Sequence, residues 1–413
     1  MMQMTPDDLL HHVRDFQWHG QATAEEVTTA SLADGGLAQV PTFVNEFWTS
    51  RQRAAHNLHE ISYRACFKPQ LPRFFIDRLT EPGAVVYDPF AGRGTTPLEA
   101  ALAGRAPVAC DINPLSAILI APRLGPPTVA EVRARLDAID LSGRVEASHD
   151  LHTFFHPDTL RDIAALRAYL LAREQAGSID GIDRWIRMVA VNRLTGHSPG
   201  FFSVYTLPPN QATSVQSQRK INEARNQVPP RRDVRAVILK KTKALLKDLT
   251  PADAQALASA ARQARLITRA AHHTPEIGHA SVDLVVTSPP FLTVVDYKRD
   301  NWLRCWFCGI DPDAVHLTVL RRLDHWQAAM TRVFRELHRV LKPGASVAFE
   351  VGEVRKGTVR LEEAVIPSAV AAGLEPVFVL INAQDFTKTA NLWGVANNRI
   401  GTNTNRVVLL RKA

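Results

Sequence analysis

Two short stretches hold residue types that could do chemistry together. The first, Asp88-Pro-Phe-Ala-Gly-Arg-Gly-Thr-Thr96, ends an apolar run in glycines and leads into a helical pattern. Glycines at such a turn let the backbone pass close to a ligand and aim free N–H groups at it. The second, Thr287-Ser-Pro-Pro-Phe291, closes another apolar run on two prolines, which cannot continue a central ladder. Ser288 brings a hydroxyl oxygen, Pro289 a main-chain carbonyl, Pro290 a second rigid ring that helps hold it, and Phe291 an aromatic face. That set suits a poor nitrogen nucleophile, an amine whose lone pair is delocalised into a heteroaromatic ring. Two oxygens accept its hydrogens and draw the nitrogen toward tetrahedral geometry, while the aromatic face stacks on a base swung out of its helix.

Each stretch also has a plain alternative. Glycines alone fit any tight strand-to-helix turn, and the prolines fit a strand-terminating one. The longer glycine string is more specific: it lacks the Gly-Lys-Ser/Thr ending of a Walker loop and is not the three-glycine dinucleotide fingerprint. At the end of the next apolar run, PVACDINP (107–114), Asp111 stands where a doubly wound sheet puts the carboxylate that accepts both hydroxyls of a ribose. A nucleoside-containing ligand without a polyphosphate fits the pair.

The elements that must position these residues read as an α/β sheet, because short β-branched runs ending in turn chemistry alternate with helical patterns. AVVYDPFAG (84–92) is a strand entering a glycine turn, and Thr95 to Ala103 is the helix after it. PVACDINP and SVDLVVTSPPF (281–291) are further strands, and Leu323 to Leu341 carries apolar residues at helical spacing. LKPGA breaks that helix and ASVAFEVG resumes a strand; PVFVLINAQ (376–384) and NRVVLLRK (405–412) are the last two strands, joined by a polar loop with NLWGVANNRIGTNT.

More than 160 residues separate the second strand from the third, too many for one crossover, so an insertion with its own structure is expected there. Its first part (156–195) is helical by pattern, its middle (196–214) is rich in Gly, Pro and aromatics, and its third part is basic, with a helix expected from Arg232 to Lys247. The organisation expected is therefore 1–125, an N-terminal segment and first catalytic half; 126–265, a mainly helical insertion; and 266–413, the second catalytic half.

The formal charge of +8 favours a polyanionic partner. From Arg219 to Lys247 ten Lys or Arg face two acids, an excess of 10 − 2 = +8, as large as the whole chain's. A solvated helix face explains such a run as readily as a nucleic-acid surface does. With 46% hydrophobic and 22% charged residues the chain is of ordinary globular type, with no membrane-length apolar run or signal pattern, and a cytoplasmic home is expected. Four cysteines exclude a disulfide framework; Cys305 and Cys308 form a CxxC flanked by Trp306 and Phe307 and read as core thiols. His149, His152 and His156 have helical ligand spacing but no accompanying acid or cysteine set, and no metal is expected.

With these residues in view, the chain resembles the amino-methyltransferases of DNA, which modify cytosine N4 or adenine N6 with S-adenosylmethionine. DPFAGRGTT resembles the family's cofactor motif, DINP its ribose-side motif, TSPPF its catalytic motif, ISYRACFKPQLPRFFI (61–76) the segment before the cofactor motif, and LKPGASVAFE a helix-to-strand junction of the fold. The resemblance covers about 60–115 and 280–412. It implies a Rossmann-like methyltransferase sheet, mostly parallel with a C-terminal antiparallel hairpin. It also implies that Phe67, Asp88, Phe90, Gly92, Gly94 and Thr95 surround the methionine side of the cofactor, Asp111 with Asn113 the ribose, and Ser288, Pro289, Pro290 and Phe291 the base. Serine opening the tetrad leans to cytosine N4. The stretch ARLITRAAHHTPEIGH (264–279) departs from the family in lacking the acid expected near the adenine ring.

Because the cofactor motif precedes the insertion and SPPF follows it, the insertion takes the place of a target-recognition region for double-stranded DNA. Arg219, Lys220, Arg225, Arg231, Arg232, Arg235, Lys240 and Lys241 are its candidate phosphate contacts. Adenine N6, an RNA acceptor, or a non-catalytic nucleic-acid-binding protein of the same fold are the alternatives, and a restriction endonuclease partner in the same system is left open.

Overall fold

A computed structural model describes residues 3–49, 55–63, 66–142, 149–207, 212–292, 297–315, 320–354, 359–383 and 404–413. Among them runs a nine-stranded sheet. Its strands in chain order are β1 (Ala24–Ser31), β2 (Leu37–Asn45), β3 (Val85–Asp88), β4 (Ala106–Asp111), β5 (Arg265–Thr268), β6 (Val282–Thr287), β7 (Leu341–Val351), β8 (Leu374–Ala383) and β9 (Thr404–Lys412). Their spatial order is β1-β2-β8-β9-β7-β6-β3-β4-β5. The block β7-β6-β3-β4-β5 is parallel throughout; β9 runs antiparallel to both β7 and β8, and β1 antiparallel to β2. This is the mostly parallel, Rossmann-like sheet with an antiparallel C-terminal hairpin that the resemblance implies.

The central strands are apolar on both sides because both faces are covered. Val86, Leu284, Val286 and Ala348 point to one face, where α1 (Pro6–Arg14) and α2 (Gln70–Leu79) lie; Tyr87, Val285, Val347 and Phe349 point to the other, under α12 (Leu323–Val340) and α13 (Glu362–Val370). The remaining helices are α3 (Thr95–Leu102), α4 (Leu115–Leu124), α5 (Val129–Ala138), α6 (Pro157–Gln175), α7 (Gly181–Val191), α8 (Val215–Ala224), α9 (Val234–Leu245), α10 (Pro251–Gln263) and α11 (Tyr297–Cys308). The helices of the inserted stretch share one apolar core with α3, α4 and α11, through Leu98, Leu119, Leu166, Trp185, Ile238 and Leu303 among others.

The expected strands and the helices after β3 and before β7 are present, and the inserted stretch is mainly helical. Of the elements that carry no expectation from sequence, three bear on the sheet and the basic stretch. The hairpin β1–β2 extends the sheet beyond β8, and the four-residue β5 adds an edge beside β4. The third, α8, separates Arg219 and Lys220 from the basic helix, which spans Val234–Leu245. The loop with NLWGVANNRIGTNT lies outside the described residues except for Thr404.

Candidate functional site

Neighbouring strands β3 and β6 are parallel, with Val86 opposite Leu284 and Tyr87 opposite Val285. From β3 the chain crosses through α3 to β4 on one side, whereas β6 lies on the other, so a crevice opens at their carboxyl ends. Both motifs end there. Thr287 Oγ1 donates to Asp88 Oδ1 at 2.6 Å, and Thr96 Oγ1 donates to the Val286 carbonyl at 3.0 Å, so the two motif strands are joined by side chains as well as by the ladder.

Asp88 is 1% exposed and also accepts from Phe90 N at 3.0 Å. Burial pushes its carboxyl up to about 7 against the pull of these donors. Gly92 (φ +49°) and Gly94 (φ +80°) have left-handed backbone, which a side chain would strain. A Cβ on Gly94 would also stand 2.3 Å from Ile120 of α4. Gly92 N donates to Asp111 Oδ2 at 2.8 Å, so the acid ending β4 clasps the turn after β3; Asp111 Oδ1 accepts from Asn113 N. Burial raises the Asp111 carboxyl as well. Asn113 is buried, and its Oδ1 accepts from Leu115 N at the start of α4. Thr95 is buried at the start of α3, while Phe67 and Phe90 are half-buried.

The strap at 57–63 lies across the turn. Arg93 donates to the His59 and Ile61 carbonyls, Arg123 donates to the carbonyls of Leu58 and Arg93, and a Cβ on Gly92 would lie 3.5 Å from the Tyr63 ring. Arg123, 1% exposed, escaped notice in the sequence because an arginine near the end of an apolar helix reads as a solvent-facing cap.

Ser288, Pro290 and Phe291 are half-buried and Pro289 is buried. The indole Nε1 of Trp326, on α12, donates to the Pro290 carbonyl at 3.0 Å, which anchors the tetrad to the core. Phe291 packs against Gly352, where a Cβ would come within 3.0 Å of its ring. Glu350, buried on β7, hydrogen-bonds with Ser288 and accepts from Asn405 Nδ2 at 3.1 Å; burial pushes its carboxyl up. A charged residue inside the apolar run SVAFEV was the sequence signal for Glu350.

The eight candidate phosphate contacts divide. Lys220, Arg231 and Lys240 are exposed. Arg219 pairs with Asp150 at 2.7 Å, Arg225 lies 3.9 Å over the Tyr205 ring, and Arg235 donates to the Leu136 and Ile139 carbonyls. Arg232 N donates to Thr159 Oγ1, and Lys241 turns inward, 3.6 Å from Glu60. Cys305 and Cys308 are buried thiols, pushed up to about 11 and about 12 by burial. His156 caps α6 through Nδ1. Among the described residues, no helix is long and apolar enough to cross a membrane.

Residues 21–119 match the model of a family described as DNA methylase, of the N6/N4 group. No curated protein matches the chain. Among solved structures, a candidate DNA modification methylase from Thermus thermophilus, complexed with S-adenosyl-L-methionine, is 23% identical over 33% of this chain and 49% of its own, at a TM-score of 0.20. The match thus spans about half the length of that protein. A TehB-like SAM-dependent methyltransferase from Corynebacterium glutamicum is 9% identical over 83% of this chain and 87% of its own, at a TM-score of 0.29. The family match takes in the strap, the glycine turn and Asp111, and over those residues it bears out the resemblance to the amino-methyltransferases of DNA that DPFAGRGTT and DINP carry.

Proposed function

We propose that this chain is a site-specific methyltransferase acting on the exocyclic amine of a base extruded from duplex DNA, cytosine N4 ahead of adenine N6. S-adenosylmethionine is the proposed methyl source. The observation that carries this reading is the 2.6 Å hydrogen bond from Thr287 to Asp88, which sets the ends of the two motif strands side by side. The residues fit the cofactor: left-handed glycines at 92 and 94 clear a path for it, and each Asp111 oxygen keeps a lone pair for a ribose hydroxyl. When bound, it supplies an electrophilic methyl group on a sulfonium sulfur. Phe67, Phe90, Thr95 and Asp88 border the methionine side, with Asp111 and Asn113 at the ribose.

Ser288 Oγ and the Pro289 carbonyl accept the amine's two hydrogens, while Phe291 stacks on the extruded ring. The Pro290 carbonyl is engaged with Trp326, which fixes the tetrad's backbone. Methyl transfer would break the S–C bond of the bound donor, the electron pair staying on sulfur, as the N–C bond forms, and nitrogen sheds one proton; Ser288 passes it to Glu350, the carboxyl behind it. Glu350 is a positioning residue for the hydroxyl and the sink for that proton. Serine at the first tetrad position supports cytosine over adenine.

Incubation of the protein with labelled cofactor and varied duplexes tests the reading. Label is expected in DNA, and Ser288→Ala is expected to slow transfer by about a hundredfold while cofactor and duplex still bind. Bound cofactor with no label in any duplex overturns it. Expression in a methylation-free host, followed by base-resolved sequencing, identifies the base and the recognition sequence together.

A further inference from the structure

The exposed lysines and arginines are the obvious phosphate contacts, but a less obvious pair lies closer to the site. Asn192 Oδ1 accepts from Ser62 N at 2.9 Å, so the end of α7 abuts the strap one residue before Tyr63. The next residue, Arg193, lies half-buried with its guanidinium 4.0 Å over the Phe201 ring, and its Nε donates to the Asn192 carbonyl. Lys241 reaches the same place from α9, its side chain only 12% exposed, and stops 3.6 Å from Glu60 on the strap. Arg304 of α11 closes the group, donating to the Ser62 carbonyl at 3.1 Å with its guanidinium 5.8 Å over the Tyr63 ring.

Three cations from three inserted or flanking helices thus converge on residues 60–63, and Glu60, 42% exposed, is the acid that faces Arg193 and Lys241. Burial first, and then repulsion from Arg304, holds Arg193 down to about 10; burial and then repulsion from Arg193 hold Lys241 down to about 8. Cations held this way are costly without an anion. The place is specific: Tyr63 borders Gly92, so an anion here would sit at the rim of the methyl-donor turn.

We infer that Arg193 and Lys241 form a seat for one phosphodiester of the strand that carries the target base, with Glu60 occupying Lys241 until that strand arrives. The inference rests on the proposed nucleic-acid substrate and names the part of the insertion that grips it beside the reacting base. Terminal nitrogens of Arg193 and the Lys241 ammonium donate to the phosphate oxygens, and the Phe201 ring holds the guanidinium plane. Arg304 keeps the strap in place behind them.

The test uses the full chain and a labelled random-sequence duplex, with affinity measured across a salt series. Arg193→Gln/Lys241→Gln is expected to bind about tenfold more weakly, with the slope of log affinity against log salt shallower by about 1. Glu60→Gln frees Lys241 and is expected to bind a few-fold more tightly. The charge-keeping pair Arg193→Lys/Lys241→Arg should retain the wild-type slope, which separates lost charge from lost folding. A structured RNA run in parallel identifies the strand type by the larger slope change. Unchanged slope and affinity in both charge-removing variants overturn the seat while leaving the methyltransferase reading intact. So does a loss confined to S-adenosylmethionine binding, which would place the cofactor's own carboxylate there. A wild-type chain that binds cofactor but neither DNA nor RNA overturns both.

Discussion

The strand-edge site and the inserted helices treat buried carboxylates in opposite ways. At the edge, Asp88, Asp111 and Glu350 accept hydrogen bonds from backbone N–H, hydroxyl and amide groups, and burial pushes all three carboxyls up. In the insertion, Asp183 is fully buried between Arg135 and Arg173, with the Tyr169 hydroxyl also donating to it, and Asp180 beside it is held below the ordinary range by Arg135. One region neutralises its acids with cations and gains rigidity. The other raises its carboxyls by burial, which favours their protonated forms and gives up stability.

The largest expected effect breaks the rigid side of that contrast. Asp183→Ala leaves Arg135 and Arg173 facing a buried void and is expected to cost about 3–5 kcal/mol in denaturant unfolding. A loss below about 1 kcal/mol, the range of an exposed pair, would mean that the insertion is not organised by this cluster.

The next effect is catalytic. Glu350→Gln keeps shape and one acceptor but cannot take a proton, and methyl transfer is expected to fall about tenfold to a hundredfold with cofactor affinity unchanged. The pH profile supplies the sharper readout. Burial raises the Glu350 titration above that of an ordinary glutamate, and only the ionised form accepts a proton. Wild-type rate should therefore decline as pH falls through that raised titration, and the variant should lack that limb. Persistence of the limb in Glu350→Gln assigns it to another carboxyl, Asp88 being the nearest in kind.

The same contrast explains what could be read in the sequence. The candidate site was legible because its parts are local: glycines at a left-handed turn at 92 and 94, an acid ending β4, and prolines ending β6 leave fixed marks over a few residues. Parallel central strands also announce themselves as unbroken apolar runs. The hairpin β1–β2 did not, since β1 buries only Ala30 and its exposed Val27 and Glu25 look like loop. Strand β5 is four residues with none fully buried. In the insertion, charge is decided by tertiary contact: Lys240 and Lys241 are neighbours in sequence, yet one faces solvent and the other the strap. No periodicity could tell Arg235, bound to two carbonyls of α5 and its end, from the exposed Arg231.

That last distinction sets the smallest expected effect. Lys220 is exposed on α8, beside Arg219, which is engaged with Asp150. Lys220→Gln should leave the unfolding free energy within about 0.5 kcal/mol, as surface substitutions do. If the outer face of the insertion tracks a phosphate backbone, the same change lowers the salt slope of duplex binding by about 1 and weakens all sequences alike. If the run is only a solvated face, the slope stays put. Because Lys220 holds nothing in place, a change in slope there can come only from the partner, and it measures how far the nucleic-acid surface extends from the strap.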